Sequence, residues 1–227
     1  MLKFFTINTI AEIICFLIAI TCLSKDKMAA WRIRILFLLI TCIAELTGIY
    51  VKHLYLSDRV HIHPNAWVYN ILIFFQIAFF NFIFQQTLKK FIQVTPFIIV
   101  ISSLLIILHV YEICSQSVYI YDDLANSALS ILIVLYSLYY FFHLIKDEKP
   151  INIGLSADFW WVAGTLLFYF GTTAYNVFYE QLSSIVTKTG QNPGVLKYLH
   201  NVFNIILYGC WSYSFICRRW ETKKSES

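Results

Sequence analysis

The sequence predicts an all-α integral membrane protein, a bundle of seven transmembrane helices. Of its 227 residues 59% are hydrophobic and only 13% charged, where soluble chains give about a quarter of their residues to charge. Mean hydropathy is +0.67. Seven apolar runs follow one another, each close to the roughly 20 residues that cross about 30 Å of hydrocarbon. No stretch between them is long enough for a second domain. The expected organisation is one transmembrane domain over 1–220 and a short cytoplasmic tail over 221–227.

The first run, about Phe4 to Leu23, is too long for the apolar region of a signal peptide and has its positive charge after it, in Ser24-Lys-Asp-Lys27. It reads as a retained helix with its N-terminus outside. The others are Trp31–Val51, Ala66–Thr87, Val94–Ile113, Asp123–Ile145, Phe159–Tyr179 and Leu196–Cys217. With the N-terminus outside, twelve of the seventeen Lys and Arg fall on the inner side, among them Lys25, Lys27, Arg32, Arg34, Lys89, Lys90, Arg218 and Arg219. That excess predicts N-out, C-in. Trp31, Trp160, Trp161 and Trp220 then gather at the inner interface and Trp67 at the outer one, where amphipathic rings belong.

Each helix carries polar or small residues at helical spacing, which lets backbones approach and supplies interhelical hydrogen bonds. The first has Asn8, Glu12, Cys15, Ala19 and Cys22, the second Thr41, Glu45, Gly48 and Lys52. The sixth has Thr165, Tyr169, Thr172 and Asn176, and the seventh Asn201, Asn204, Tyr208 and Ser212. At about 1.5 Å per residue, Glu12, Glu45, Asn70, Asn126, Asn176, His200, Asn201 and Asn204 all fall in or near the outer half of the membrane. Such groups are costly in hydrocarbon unless they pair or face water. Two readings stay open: hydrogen-bonded struts between helices, or the lining of an outward-facing pocket. Glu12 and Glu45 are the sharpest residues, either ligand-contacting carboxylates or protonated acids bonded between helices.

Other features point elsewhere or nowhere. The net charge of +4 comes from short loops, so no nucleic-acid partner is expected. The six cysteines have no CxxC or CxxH spacing and read as packing residues. His53, His61 and His63 crowd one loop with Asp58, a His-x-His that could hold a metal or stand as a solvated loop; with no further ligand motif, no metal or cofactor is expected. His109 and Glu112 read as a local pair or a pocket wall. No nucleophile and base stand at a catalytic spacing, which argues against an enzyme.

Val68-Tyr-Asn-Ile-Leu-Ile-Phe74 matches Val202-Phe-Asn-Ile-Ile-Leu-Tyr208, setting Asn70 against Asn204. Either a 3+1+3 parallel repeat or chance similarity in a biased composition produces this. The topology and the two Asn resemble SWEET sugar transporters, and that resemblance implies small-solute transport. The family's helix-bending prolines are missing, since Pro64, Pro96, Pro150 and Pro193 lie in loops or at helix ends. A microbial rhodopsin would need a lysine between His200 and Cys217, and an intramembrane zinc hydrolase a second histidine where Asn204 stands.

Glu45 with Gly48, Trp67 with Tyr69 and Asn70, and His200 with Asn201 and Asn204 resemble motifs of small seven-helix bacterial membrane proteins and of the membrane modules that precede sensor histidine kinases. That resemblance implies a sensor or receptor-like protein of the cytoplasmic membrane. It would bind a small ligand at Glu12, Glu45, Asn70, Asn176, His200, Asn201 and Asn204 and signal through a separate partner, because few residues follow Trp220. The alternatives are the small-solute transporter and a structural or assembly subunit. The lipid bilayer is the one partner every reading shares.

Overall fold

The computed structural model describes residues 6–146, 152–188 and 194–226, with side chains described except at 175–188, 194–197 and 225–226. Among the described residues the chain is helical throughout, without strands. The α-helices are α1 (Ile7–Leu23), α2 (Ala29–Ser57), α3 (Ala66–Leu88), α4 (Thr95–Gln116), α5 (Asp123–Lys146), α6 (Ala157–Lys188) and α7 (Gly194–Glu226), with a 3-10 turn at Ile153–Leu155. Among the described residues four of them, α2 to α5, are long and apolar enough to cross a bilayer, and α1 is a shorter apolar helix. The chain is a membrane-embedded helical protein. Whole helices were legible as apolar runs, and the end of α1 and the starts of α3 and α5 fall where the runs do, but α2, α6 and α7 run past theirs. α2 continues to Ser57 and α7 through most of the expected tail, to Glu226.

The helix starts are locally encoded. Thr6 caps α1, its hydroxyl accepting the Thr9 amide at 3.2 Å. Asp26 Oδ1 accepts the Met28 amide at 2.8 Å, tightening the turn before α2. Pro96 sits in the first turn of α4, where its missing N–H costs nothing. Ser156 Oγ accepts the Phe159 amide at the head of α6.

The packing divides into two units, Met1–Leu129 and Ser130–Ser227, so that α5 contributes to both. In the first unit α1 packs on α2, α2 on α3 and α3 on α4. Its centre holds Cys15, Ala19, Leu38, Ile73, Ile77, Phe80 and Phe84, all essentially solvent-free. Phe37 and Phe79 stack across α2 and α3 with ring centroids 3.8 Å apart. Gly48 lets α3 come close: a Cβ there would lie 2.6 Å from the Tyr69 hydroxyl. Asn65 donates to the Gly48 carbonyl at 3.1 Å, fixing the α2–α3 connection beside this contact.

In the second unit α6 and α7 form an antiparallel pair. Gly164 and Gly171, seven residues apart, face Cys210 and Phe203, also seven apart, and any side chain at either glycine would collide with them. Trp161 and Trp211 stack at 5.6 Å, and the Trp211 indole N–H donates to Thr165 Oγ1 at 3.0 Å. Ser214 donates to the Ala157 carbonyl at 2.7 Å, while Glu221 accepts the Ala157 amide at 3.0 Å. The rings expected together at the inner interface divide in two. Trp31 and Trp161 are buried packing residues, with the Arg34 guanidinium over the Trp31 ring, whereas Trp220 is exposed.

Candidate functional site

The two carboxylates flagged by the sequence belong to neighbouring helices of the first unit. Glu12 of α1 is buried beside the Cys42 thiol of α2. Glu45, one turn further along α2 and half-buried, accepts a hydrogen bond from Tyr69 of α3 at 3.3 Å. Cys42 and Tyr69 each lie within electrostatic reach of both carboxyl groups. Cys42 and Glu45 share a face of α2 because they are three residues apart. Gly48 continues that face and leaves the space that the Tyr69 ring fills. The result is a patch of acidic oxygens and a phenol where three helices meet, suited chemically to a cation or a hydrogen-bond donor.

Asn70 follows Tyr69 on α3 but serves a different neighbour. Fully buried, its carboxamide donates to the carbonyls of Val118 at 3.0 Å and Ile120 at 2.7 Å, and accepts the Asp122 amide at 3.1 Å. One side chain thus bonds three backbone groups of the α4–α5 turn, the buried Asp122 amide among them. The turn needs that support. Ser117, which ends α4, adopts φ 92°, a left-handed backbone that costs a non-glycine residue about 1–3 kcal/mol.

α4 secures the same turn from the other side. His109 Nδ1 lies 2.9 Å from Asp122 Oδ2, with both side chains removed from solvent. Glu112 accepts the amides of Leu124 at 3.1 Å and Ala125 at 2.9 Å, satisfying free donors in the first turn of α5. His109 and Glu112, expected as a local pair or a pocket wall, therefore bond separately to the segment that follows. Burial holds the Asp122 carboxyl above the usual carboxylate range, with Glu112 and Asp123 adding to the effect and His109 opposing it. Burial, reinforced by Asp123, Asp122 and Glu112, pushes the Tyr121 phenol up to about 12.

The other sequence-flagged residues belong to the second unit. His200 is exposed, its ring 6.3 Å from that of Phe168. Asn204 is buried and donates to the His200 carbonyl at 2.9 Å, a bond within its own helix. Asn201 is half-buried on the same helix. The side chain of Asn176 lies outside the described residues. Asn70 and Asn204, paired by the sequence match, make different bonds: one pins a distant turn, the other its own backbone.

Asp122 escaped the sequence reading. It precedes the fifth apolar run and looks like an ordinary loop acid; only its distance from His109, thirteen positions earlier, gives it meaning. In the α2–α3 loop, His61 pairs with Asp58 at 3.0 Å and His63 stacks on Tyr119 at 3.8 Å. Among the described residues no three His, Cys, Asp or Glu side chains converge as a metal set. Comparison with protein families, with characterised proteins and with solved structures finds no match to this chain.

Proposed function

We propose that the protein is a sensor or receptor-like protein of the cytoplasmic membrane, crossing it seven times with the N-terminus outside. It binds a small cationic or donor-rich ligand at the Glu12, Glu45 and Tyr69 patch and signals through a separate partner. The single observation that supports this reading is the adjacency of Tyr69 and Asn70. A ligand that takes the Glu45 carboxylate displaces the Tyr69 hydroxyl, and any rotation or slide of α3 at that point moves Asn70 relative to the α4–α5 turn it holds. Ligand binding then favours one of two arrangements of that turn to the extent of its differential affinity. The positive residues flanking the first, third and seventh helices support the orientation.

The test is a thermal-shift screen of the purified full chain against small amines, amino acids and neutral polyols, repeated on Glu45→Gln. A compound that stabilises the wild type but not Glu45→Gln, and that changes hydrogen exchange in 118–125, supports the reading. Uptake of that compound into proteoliposomes replaces the sensor with a transporter. Absence of any stabilising compound, with one stoichiometric protein copurifying from the membrane, leaves a structural subunit.

A further inference from the structure

α2 and α3 leave a groove of about 310 Å³ between them, lined by Ile33, Leu36, Phe37, Ile40, Phe75, Ala78, Phe79 and Phe82. Every lining residue is apolar. The Phe37–Phe79 stack forms part of the wall, and Ala78 leaves the gap that a larger side chain would close. Leu36 and Phe75 are largely exposed, so the groove opens outward from the helix pair. Its volume is many times the roughly 10–15 Å³ of such space that one water needs, so the groove can take a segment of acyl chain. Water has no polar partner in it.

The chemistry changes at the end of the groove where α2 begins and α3 ends. Arg32 precedes Leu36 by four residues, and Lys89 follows Phe82 by seven, so each continues a lining stripe beyond the apolar wall. Both side chains are exposed, and Lys89 bonds Gln86, which stands one turn after Phe82. An apolar slot ending in two cationic groups at the helix ends matches one kind of occupant, an acyl chain carrying a negative headgroup.

We propose that the α2–α3 groove is a binding site for an anionic phospholipid, one acyl chain lying against Ala78 and the headgroup phosphate held by Arg32 and Lys89. This site is separate from the Glu12, Glu45 and Tyr69 patch and does not depend on what that patch binds. Ala78 sets the fit of the tail. The two basic residues set the preference for charge.

The full chain is reconstituted into vesicles of equal phosphatidylcholine and phosphatidylglycerol, extracted in mild detergent, and its retained lipid is quantified by mass spectrometry. The expected result is enrichment of phosphatidylglycerol, by about fivefold for each basic side chain engaged. Arg32→Gln with Lys89→Gln abolishes that preference while some lipid is still retained. Ala78→Phe reduces retention of both lipids. The two charge substitutions are on exposed positions and leave the core intact, so they decide the matter even if Ala78→Phe fails to fold. Equal retention of the two lipids by the wild type, an unchanged preference in the double variant, or cross-linking that shows a second copy of the chain seated in the groove overturns the proposal.

Discussion

Tyr69 and Asn70 are consecutive on α3, and each holds a different neighbour: the Tyr69 hydroxyl is bonded to Glu45 of α2, while the Asn70 carboxamide is bonded to three backbone groups of the α4–α5 turn. One helical turn thus joins the acidic patch to a strained connection. The side chain of Asn70 is the part of this link that no neighbour can replace.

Asn70→Ala is therefore expected to destabilise the protein by about 1–3 kcal/mol, since it breaks one buried and two part-buried bonds and leaves the buried Asp122 amide without its acceptor. Hydrogen exchange should accelerate in 118–124 and stay unchanged in the α6–α7 pair. An unaltered exchange pattern in the turn would show that Asn70 does not hold it.

Gly48→Ala brings a methyl group into the space of the Tyr69 ring. The ring has to move, at a cost of about 1–3 kcal/mol for overpacking, and its bond to Glu45 is lost. Tyr69→Phe should then cost less in the Gly48→Ala background than in the wild type. A double-mutant cycle on thermal stability measures this coupling, and simple additivity would separate the two residues.

The raised pKa of Asp122 fixes the sign of a pH effect. A carboxyl that binds its proton more tightly when folded contributes stability below its ordinary value of 3.8, and that contribution is lost as pH rises through the elevated folded value. Asp122→Asn removes the titrating group. The melting temperature of the wild type relative to Asp122→Asn should fall as pH increases from 3.8 upward, and parallel curves would contradict the assignment.

Between α6 and α7, Thr165→Val leaves the buried Trp211 N–H without its acceptor. A loss of about 1–3 kcal/mol is expected. Trp211→Phe should cost less in the Thr165→Val background than in the wild type, because the donor it removes is already orphaned there. Thermal unfolding of the single and double variants checks the order.

The helices were legible because each apolar run is longer than any loop beside it, and the importance of Glu12, Glu45 and Asn70 because polar groups are rare enough in such a chain to stand out. What those groups bond to was not legible. Nothing in the order of residues marks Gly48 as the space for Tyr69, or the Asn70 amide as the clamp of a turn about fifty positions away. Asp122 was hidden for the opposite reason: an acid beside a helix start is commonplace, and its burial against His109 is a tertiary fact. Gly164 and Gly171 did leave a signal, a seven-residue spacing matched by Phe203 and Cys210, visible once α6 and α7 are known to be partners.

α1 has 17 helical residues after its Thr6 cap, a rise of about 26 Å, while the hydrocarbon it would cross is about 30 Å. In the proposed seven-span arrangement a hydrophobic mismatch therefore falls on the helix that bears Glu12, at a fraction of a kcal/mol for each ångström. Thick membranes should therefore tug on the Glu12–Cys42 contact before they disturb the longer helices. Stability measured across vesicles of graded thickness should peak in the thinner ones, and Thr6→Ala, which frays the cap, should sharpen that dependence.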